Sequence, residues 1–246
     1  MNLVLHGVGA EDSNVIPVQV RDALSGKHGE YHVILANPPF GKKSSVTITS
    51  EEGDVSRETL TIQRDDFWAT TSNKQLNFVQ HIFSSLKMHG RAAVVLPDNV
   101  LFEGGAGETV RRELMKQGDL HTVLRLPTGL FYAQGVKANV LFFDRKPPRP
   151  DGKPNTERVW FYDLRTNQHF TLKTRPLQHA DLNEFVRLYR AENRLTREAT
   201  FGETAPPGRW RSYGVDELLA RDKASLDLFW LRDESPWTAT TCQHPK

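Results

Sequence analysis

The chain has 246 residues, with 32 basic and 30 acidic side chains and a formal net charge of +2. That balance neither identifies nor excludes a nucleic-acid partner, and no apolar stretch approaches the roughly 18 residues of a membrane span. A single cysteine, Cys242, excludes an internal disulfide and any cysteine-based metal cluster, and it fits a reducing cytosol.

The opening residues, MNLVLHGVGAED, lack the basic start and apolar core of a signal peptide. Through residue 145 the pattern alternates. VIPVQV (15–20) and YHVILAN (31–37) read as short strands, and residues 46–71 are polar without a clear period, which predicts a long loop. From Ser72, a plausible N-cap, Leu76, Val79, Phe83 and Leu86 recur at helical spacing, with Phe78 and Ile82 widening the face and Gly90 as the stop. RAAVVLP (91–97) reads as a buried strand and GETVRRELMKQG (107–118) as a helix ended by Gly118. LHTVLRLP (120–127) and KANVLFFDR (137–145) are two strands too close in sequence for a helical crossover, so their pairing is expected to be antiparallel.

The prolines of KPPRPDGKPN (146–155) mark a linker, followed by a strand in RVWFYDL (158–164). DLNEFVRLYRAENR (181–194) predicts a helix capped by Asp181, with Leu182, Phe185, Leu188 and Tyr189 on one face. These elements predict an α/β fold, a sheet with helices on its faces and a terminal antiparallel hairpin. The expected division is a core over 1–145, a linker over 146–157 and a small α+β appendage over 158–246. Trp160, Phe161, Tyr162, Phe229 and Trp230 exceed what so short an appendage buries alone, so it is expected to dock on the core or on a partner.

VILANPPFGKKSS (33–45) breaks the grammar of the strand it ends. Ligands of open α/β sheets sit beyond the carboxyl ends of the strands. There Pro38 and Pro39 fix φ and remove two donors, Asn37 adds a side-chain carbonyl, and Phe40 offers a flat apolar face. This group suits a planar ring carrying an amine: Asn37 and the Pro38 carbonyl accept its hydrogens, and Phe40 stacks on the ring, worth roughly 1–3 kcal/mol for a nucleobase. Two aimed acceptors would stabilise positive charge growing on that nitrogen. A rigid strand-to-loop turn is the plainer reading of the same residues.

Asn-Pro-Pro-Phe at this place resembles the motif of adenine-specific DNA methyltransferases. NKQLNFVQHIFSSLKMHGRAAVVLPDNVLFEGGAGETVRREL and VLRLPTGLFYAQGVKANVLFFDR resemble the methylation subunit of type I restriction–modification systems, weakly onward to LDLFWLRDES. The resemblance implies a partial class I methyltransferase (Rossmann-like) sheet and methyl transfer from S-adenosylmethionine to a flipped adenine of duplex DNA. It also implies a specificity subunit and a restriction subunit as partners. By resemblance, Asn37 and Pro38 would accept from the adenine amino group, Phe40 would stack on the ring and Pro39 would hold the loop. Asn37 and Asp22 would face the cofactor, Asp22 alternatively being a turn residue, and GLFYAQG (129–135) would wall the base pocket, with Lys137 where many relatives have proline. No metal is implied.

The family binds its cofactor with an acidic, glycine-rich turn upstream of the motif. HGVGAED (6–12) matches a helix end better, and EGGAGE (103–108) reads as a loop and helix start. The chain is therefore expected to begin inside the methyltransferase domain, after its first two strands. It should bind S-adenosylmethionine weakly or not at all when alone, and be completed by an N-terminal chain or self-associate. Arginines at 187, 190, 194 and 197 could contact phosphate or form a solvated helix face with nearby glutamates. A methyltransferase of protein glutamine or RNA, and a non-catalytic assembly subunit, remain alternatives.

Overall fold

The apolar run before Asn37 forms β1 (Tyr31–Ala36), which pairs in parallel with β4 (Leu86–Pro97). The computed structural model describes residues 20–26, 29–41, 45–49, 55–59, 61–131, 135–202 and 208–232. The strand expected over 15–20 and the HGVGAED segment lie outside them, apart from Val20. β4 pairs antiparallel with β6 (Ala138–Arg145), and β6 antiparallel with β5 (Gly118–Leu126), as the short connection between them requires. β7 (Arg158–Asp163) joins β5 in parallel, and β8 (Trp210–Gly214) closes the far edge. The resulting six-stranded mixed sheet has the order β1-β4-β6-β5-β7-β8, in keeping with the expected α/β class.

Alternation along these strands divides two cores. Ala92, Val94 and Leu96 of β4, Leu141 and Phe143 of β6 and Phe161 of β7 pack under α1 (Lys74–Ser85) and α3 (Ala106–Gln117). Leu124, Leu126, Tyr162 and Trp210 face the other way, against Phe185 of α4 (Asn183–Tyr189). The region expected as an appendage thus extends the same sheet through β7 and β8, and its rings Trp160 and Trp210 stack at 5.1 Å.

Several boundaries differ from the sequence expectation. Asn73, not Ser72, caps α1, its Oδ1 accepting from Gln75 N and Leu76 N. The helix ends at Ser85 rather than Gly90 because Arg145 donates to the terminal carbonyls of Ser84 and Leu86. Gly90 instead lies inside β4 beside an irregularity in the β1 register, where a Cβ would sit 2.8 Å from Lys87 O and 2.9 Å from Tyr31 O. The long loop expected over 46–71 contains an antiparallel ribbon, β2 (Ser45–Thr49) with β3 (Val55–Thr59); β-branched residues favour strand even in a polar stretch. α2 (Asn99–Phe102) is one turn before α3. The helix expected over 181–194 stops at Tyr189, where Arg190 takes a left-handed φ of 43°, and Asp181 accepts Gln178 N–H to cap a preceding 3₁₀ turn. α5 (Val215–Ala220) follows β8.

Candidate active site

Asn37 is the first residue beyond β1, at the carboxyl end of the parallel strands β1, β4, β5 and β7. Its side chain and Pro39 are exposed, Pro38 is buried, and Phe40 is half-buried. The geometry matches what two prolines dictate: a rigid exit from the sheet with acceptors and no prolyl N–H donors. Phe40 meets Phe131 edge to face, with centroids 5.1 Å apart and planes at 74°. Gln75, in the first turn of α1, donates to the Gly41 carbonyl and ties the loop down. The structure therefore brings Phe40 together with GLFYAQG, of which residues 132–134 lie outside the described residues. Gly129 has a φ of 86°, and a Cβ there would lie 2.0 Å from Phe170 O. Only glycine permits this approach, which seats the segment on the 170–171 backbone.

Asp22 is placed apart from this group. Its Oδ1 accepts Leu24 N–H at 3.0 Å and its carbonyl accepts Ser25 N–H at 3.3 Å, an Asx-type turn. Arg64 donates to Leu24 O and Gly26 O and contacts His81 at 3.2 Å, so the turn rests near His81 of α1. His81 lies about 9 Å along the helix axis from Gln75, at 1.5 Å per residue. A cavity of about 380 Å³ opens there between Arg21, Ala23, Tyr31, Ile34, His81 and Ser85. S-adenosylmethionine presents a sulfonium and an ammonium, which call for carboxylates. No carboxylate lines this cavity, so the described residues there do not fit that cofactor.

A buried polar cluster, which sequence reasoning did not find, lies at the same end of the sheet. Arg125 near the end of β5 is fully buried. Its Nε donates to Asn139 Oδ1 at 3.0 Å and Nη1 to Leu228 O at 3.1 Å. Nη2 lies 2.6 Å from Asp227 Oδ1 and 3.4 Å from Asp98 Oδ2; the nearer contact is an ion pair out of hydrogen-bond alignment. Asn139 in turn donates to Asp98 Oδ1 at 2.7 Å. Burial lowers the Arg125 pKa, with the neighbouring Arg165 adding to the effect and Asp98 and Asp227 opposing it. The available signal was a polar residue set between apolar neighbours in each strand, Arg125 in VLRLP and Asn139 in ANVLFF.

The opposite end of β5 and β6 carries a second cluster. His121 Nε2 is 3.5 Å from Asp144 Oδ1, Arg194 bonds Asp144 at 2.5 Å and lies 3.5 Å from Asp119, and Lys146 reaches Asp119 at 2.8 Å. Burial alone would raise Asp144, but His121 and Arg194 outweigh it and hold the carboxyl well below the usual range. Burial also lowers His121 and keeps it neutral, so Arg194 supplies the opposing charge at neutral pH. Arg197 is buried and donates to Tyr189 O and Thr122 Oγ1. Arg194 and Arg197 therefore pin the segment after α4 to the sheet and form no solvated helix face. They border an open cleft of about 1360 Å³ with Val33, Leu35, Phe142 and Trp160.

No helix among the described residues is long and apolar enough to cross a membrane. The sequence model of the N-6 DNA methylase family matches residues 1–206. The EcoKI type I restriction enzyme methylase subunit of Escherichia coli K12 is 38% identical over 273 aligned residues, covering 100% of this chain and 48% of that protein. The StySJI methylase subunit of Salmonella typhimurium LT2 is 37% identical, with the same 100% and 48% coverage. The crystal structure of the EcoKI M protein aligns with a TM-score of 0.71 at 36% identity, over 96% of this chain and 51% of that one. A chain from a structure describing complex assembly and conformational transition of the type I R-M system gives 0.67 at 28% identity, over 95% and 43%. The chain spans about half the length of the curated relatives it matches.

Proposed function

The chain belongs to the N-6 DNA methylase family, and from that premise we propose that it forms the target-base half of an adenine-specific DNA methyltransferase subunit of a type I restriction–modification system. The observation that carries this reading is the acceptor group at the end of β1, with Phe40 braced by Phe131. An adenine amino group is a weak nucleophile because its lone pair is conjugated with the ring. Asn37 Oδ1 and the Pro38 carbonyl accept its two hydrogens and draw the nitrogen toward a pyramidal shape, which frees the lone pair. As positive charge grows on the nitrogen the same two dipoles stabilise it, and after methyl transfer the surplus proton passes from the nitrogen to water. Phe40 supplies the stacking face in place of the neighbouring bases, and Pro39 keeps the loop rigid.

The family's methyl donor is S-adenosylmethionine, and we expect this chain alone to bind it weakly or not at all. Asn37, whose side chain is exposed, would face the donor without holding it. Asp22, whose Oδ1 holds its own turn, would stand near the cofactor. Duplex DNA, a specificity subunit and a restriction subunit are the partners this reading implies. The outer edge of β1 has no partner strand in the described sheet, and Leu35 is 80% exposed and Val33 50%. That edge suits a further strand from a complementing polypeptide or a second copy.

The test uses the full-length subunit that contains this chain. Asn37→Ala should abolish adenine methylation and leave S-adenosylmethionine affinity by calorimetry intact, while Phe40→Ala should mainly weaken target-base capture. Wild-type turnover by Asn37→Ala would overturn the reading.

A further inference from the structure

Arg125 and Asn139 are direct cross-strand partners in the β5–β6 hairpin. They stand at the two feet of the connection that carries Gly129 and Phe131, one residue before β5 ends and one after β6 begins. Arg125 Nε to Asn139 Oδ1 closes those feet, and Asn139 Nδ2 to Asp98 Oδ1 joins them to the end of β4, whose parallel neighbour is β1. The remaining arms of the guanidinium hold Leu228 O and Asp227, more than a hundred residues away in sequence. The same connection is fixed at its shoulder, where Gly129 rests on Phe170. Phe131, between these anchors, is the ring that meets Phe40.

A fully buried guanidinium is costly to desolvate, and a hydrophobic pair of equal volume would serve stability at least as well. What an apolar pair would not supply is direction. The planar fork fixes several acceptors at set angles, and that fixes the approach of the strand ends. We propose that Arg125 is a positioning residue for target-base capture: with Asn139, Asp98 and Asp227 it sets the hairpin connection so that Phe131 holds Phe40 in its stacking pose. Residues 227–228 thereby act on the base pocket without touching the base. The inference rests on the function proposed above and goes further, by naming what determines the geometry of the pocket wall.

The test uses the full-length subunit assembled with its partners and a duplex carrying 2-aminopurine at the target adenine, whose fluorescence rises when the base leaves the stack. Arg125→Lys keeps the charge and loses the fork; Asp227→Asn keeps the shape and loses the ion pair. Each is expected to raise KM for DNA by about tenfold and to reduce the 2-aminopurine signal, the scale of one lost buried contact. S-adenosylmethionine affinity and kcat at saturating DNA should stay within about twofold of wild type, a split that general loss of folding would not give. Combining Arg125→Lys with Phe131→Ala should add little to Phe131→Ala alone, because both act on one contact. Wild-type KM and fluorescence in both single variants would overturn the inference, as would equal loss of cofactor and DNA affinity. A wild-type assembly that methylates no adenine would instead overturn the functional reading.

Discussion

β5 and β6 carry a charged cluster at each end, and the two clusters are built differently. At the amino-terminal end of β5, His121, Asp119, Asp144, Arg194 and Lys146 form a nearly self-neutralising group beside a wide cleft, with the Arg194 and Lys146 side chains 30% and 37% exposed. At the other end one guanidinium, withdrawn from water, reaches acceptors in three separate parts of the chain. Water reaches the cations of the first cluster and not the guanidinium of the second, while the carboxylates of both are partly accessible. Charge near solvent fastens the segment after α4 to one end of the central strands here, whereas charge deep in the fold fixes relative orientation, and the deep cluster lies on the side of Asn37 and Phe40.

The sharpest way to break this contrast is to delete each cation. Arg125→Met should destabilise the chain by about 3 kcal/mol, because two partly buried carboxylates lose their countercharge and Asn139 and the Leu228 carbonyl lose their donor. Arg194→Met should cost about 1 kcal/mol, since its own side chain is part-exposed, Lys146 still pairs with Asp119 and His121 still contacts Asp144. Urea unfolding of both variants measures the difference, and equal losses would erase the distinction.

Gly129→Ala comes next. A Cβ 2.0 Å from Phe170 O forces the connection to move, at about 1–3 kcal/mol. The Phe40–Phe131 contact should loosen with it, readable as faster proteolysis of the 129–131 segment.

Acid should distinguish the two ends as well. Burial lowers the His121 pKa from the ordinary 6.5, so the unfolded chain takes up the proton more readily than the folded one. Stability from this group is complete above pH 6.5 and is lost as pH falls from there through the folded value. Asp144, also lowered, adds a second loss only below its ordinary 3.8. His121→Gln should flatten the first part of the acid limb in thermal melts from pH 7 to 4.5 and leave the behaviour of Arg125 variants unchanged.

The smallest effect on stability belongs to the exposed edge. Leu35→Lys should change stability by no more than about 0.5 kcal/mol yet reduce self-association in light scattering. Unchanged association would remove the β1 edge as its cause.

The sequence made the hairpin of β5 and β6 legible because its apolar runs are long and its connection short. The end of α3 was legible because Gly118 ends it by chemistry local to the chain. The end of α1 was not, since Arg145 supplies the cap from 59 residues away. The rigid, donor-poor exit from β1 could be read because proline and asparagine act through their own backbone and amide. The Arg125 cluster could not, for nothing near Arg125 in sequence announces Asp227. The arginines after α4 misled for the same reason: Asp119, Asp144 and Thr122, which hold Arg194 and Arg197, lie about 50–75 residues upstream.

The reach of Arg125 also sets an order of events during synthesis. Its carbonyl acceptor at Leu228 follows 103 residues later, and at 5–20 residues per second the ribosome delivers it roughly 5–20 s after the arginine. Over that interval the hairpin has formed its local ladder, and the guanidinium has Asn139 and Asp98 but no third anchor. The nascent sheet therefore waits with the Asn37 end unfinished. A translational pause between codons 145 and 225 would lengthen that wait, and chaperone capture there would increase in step with it.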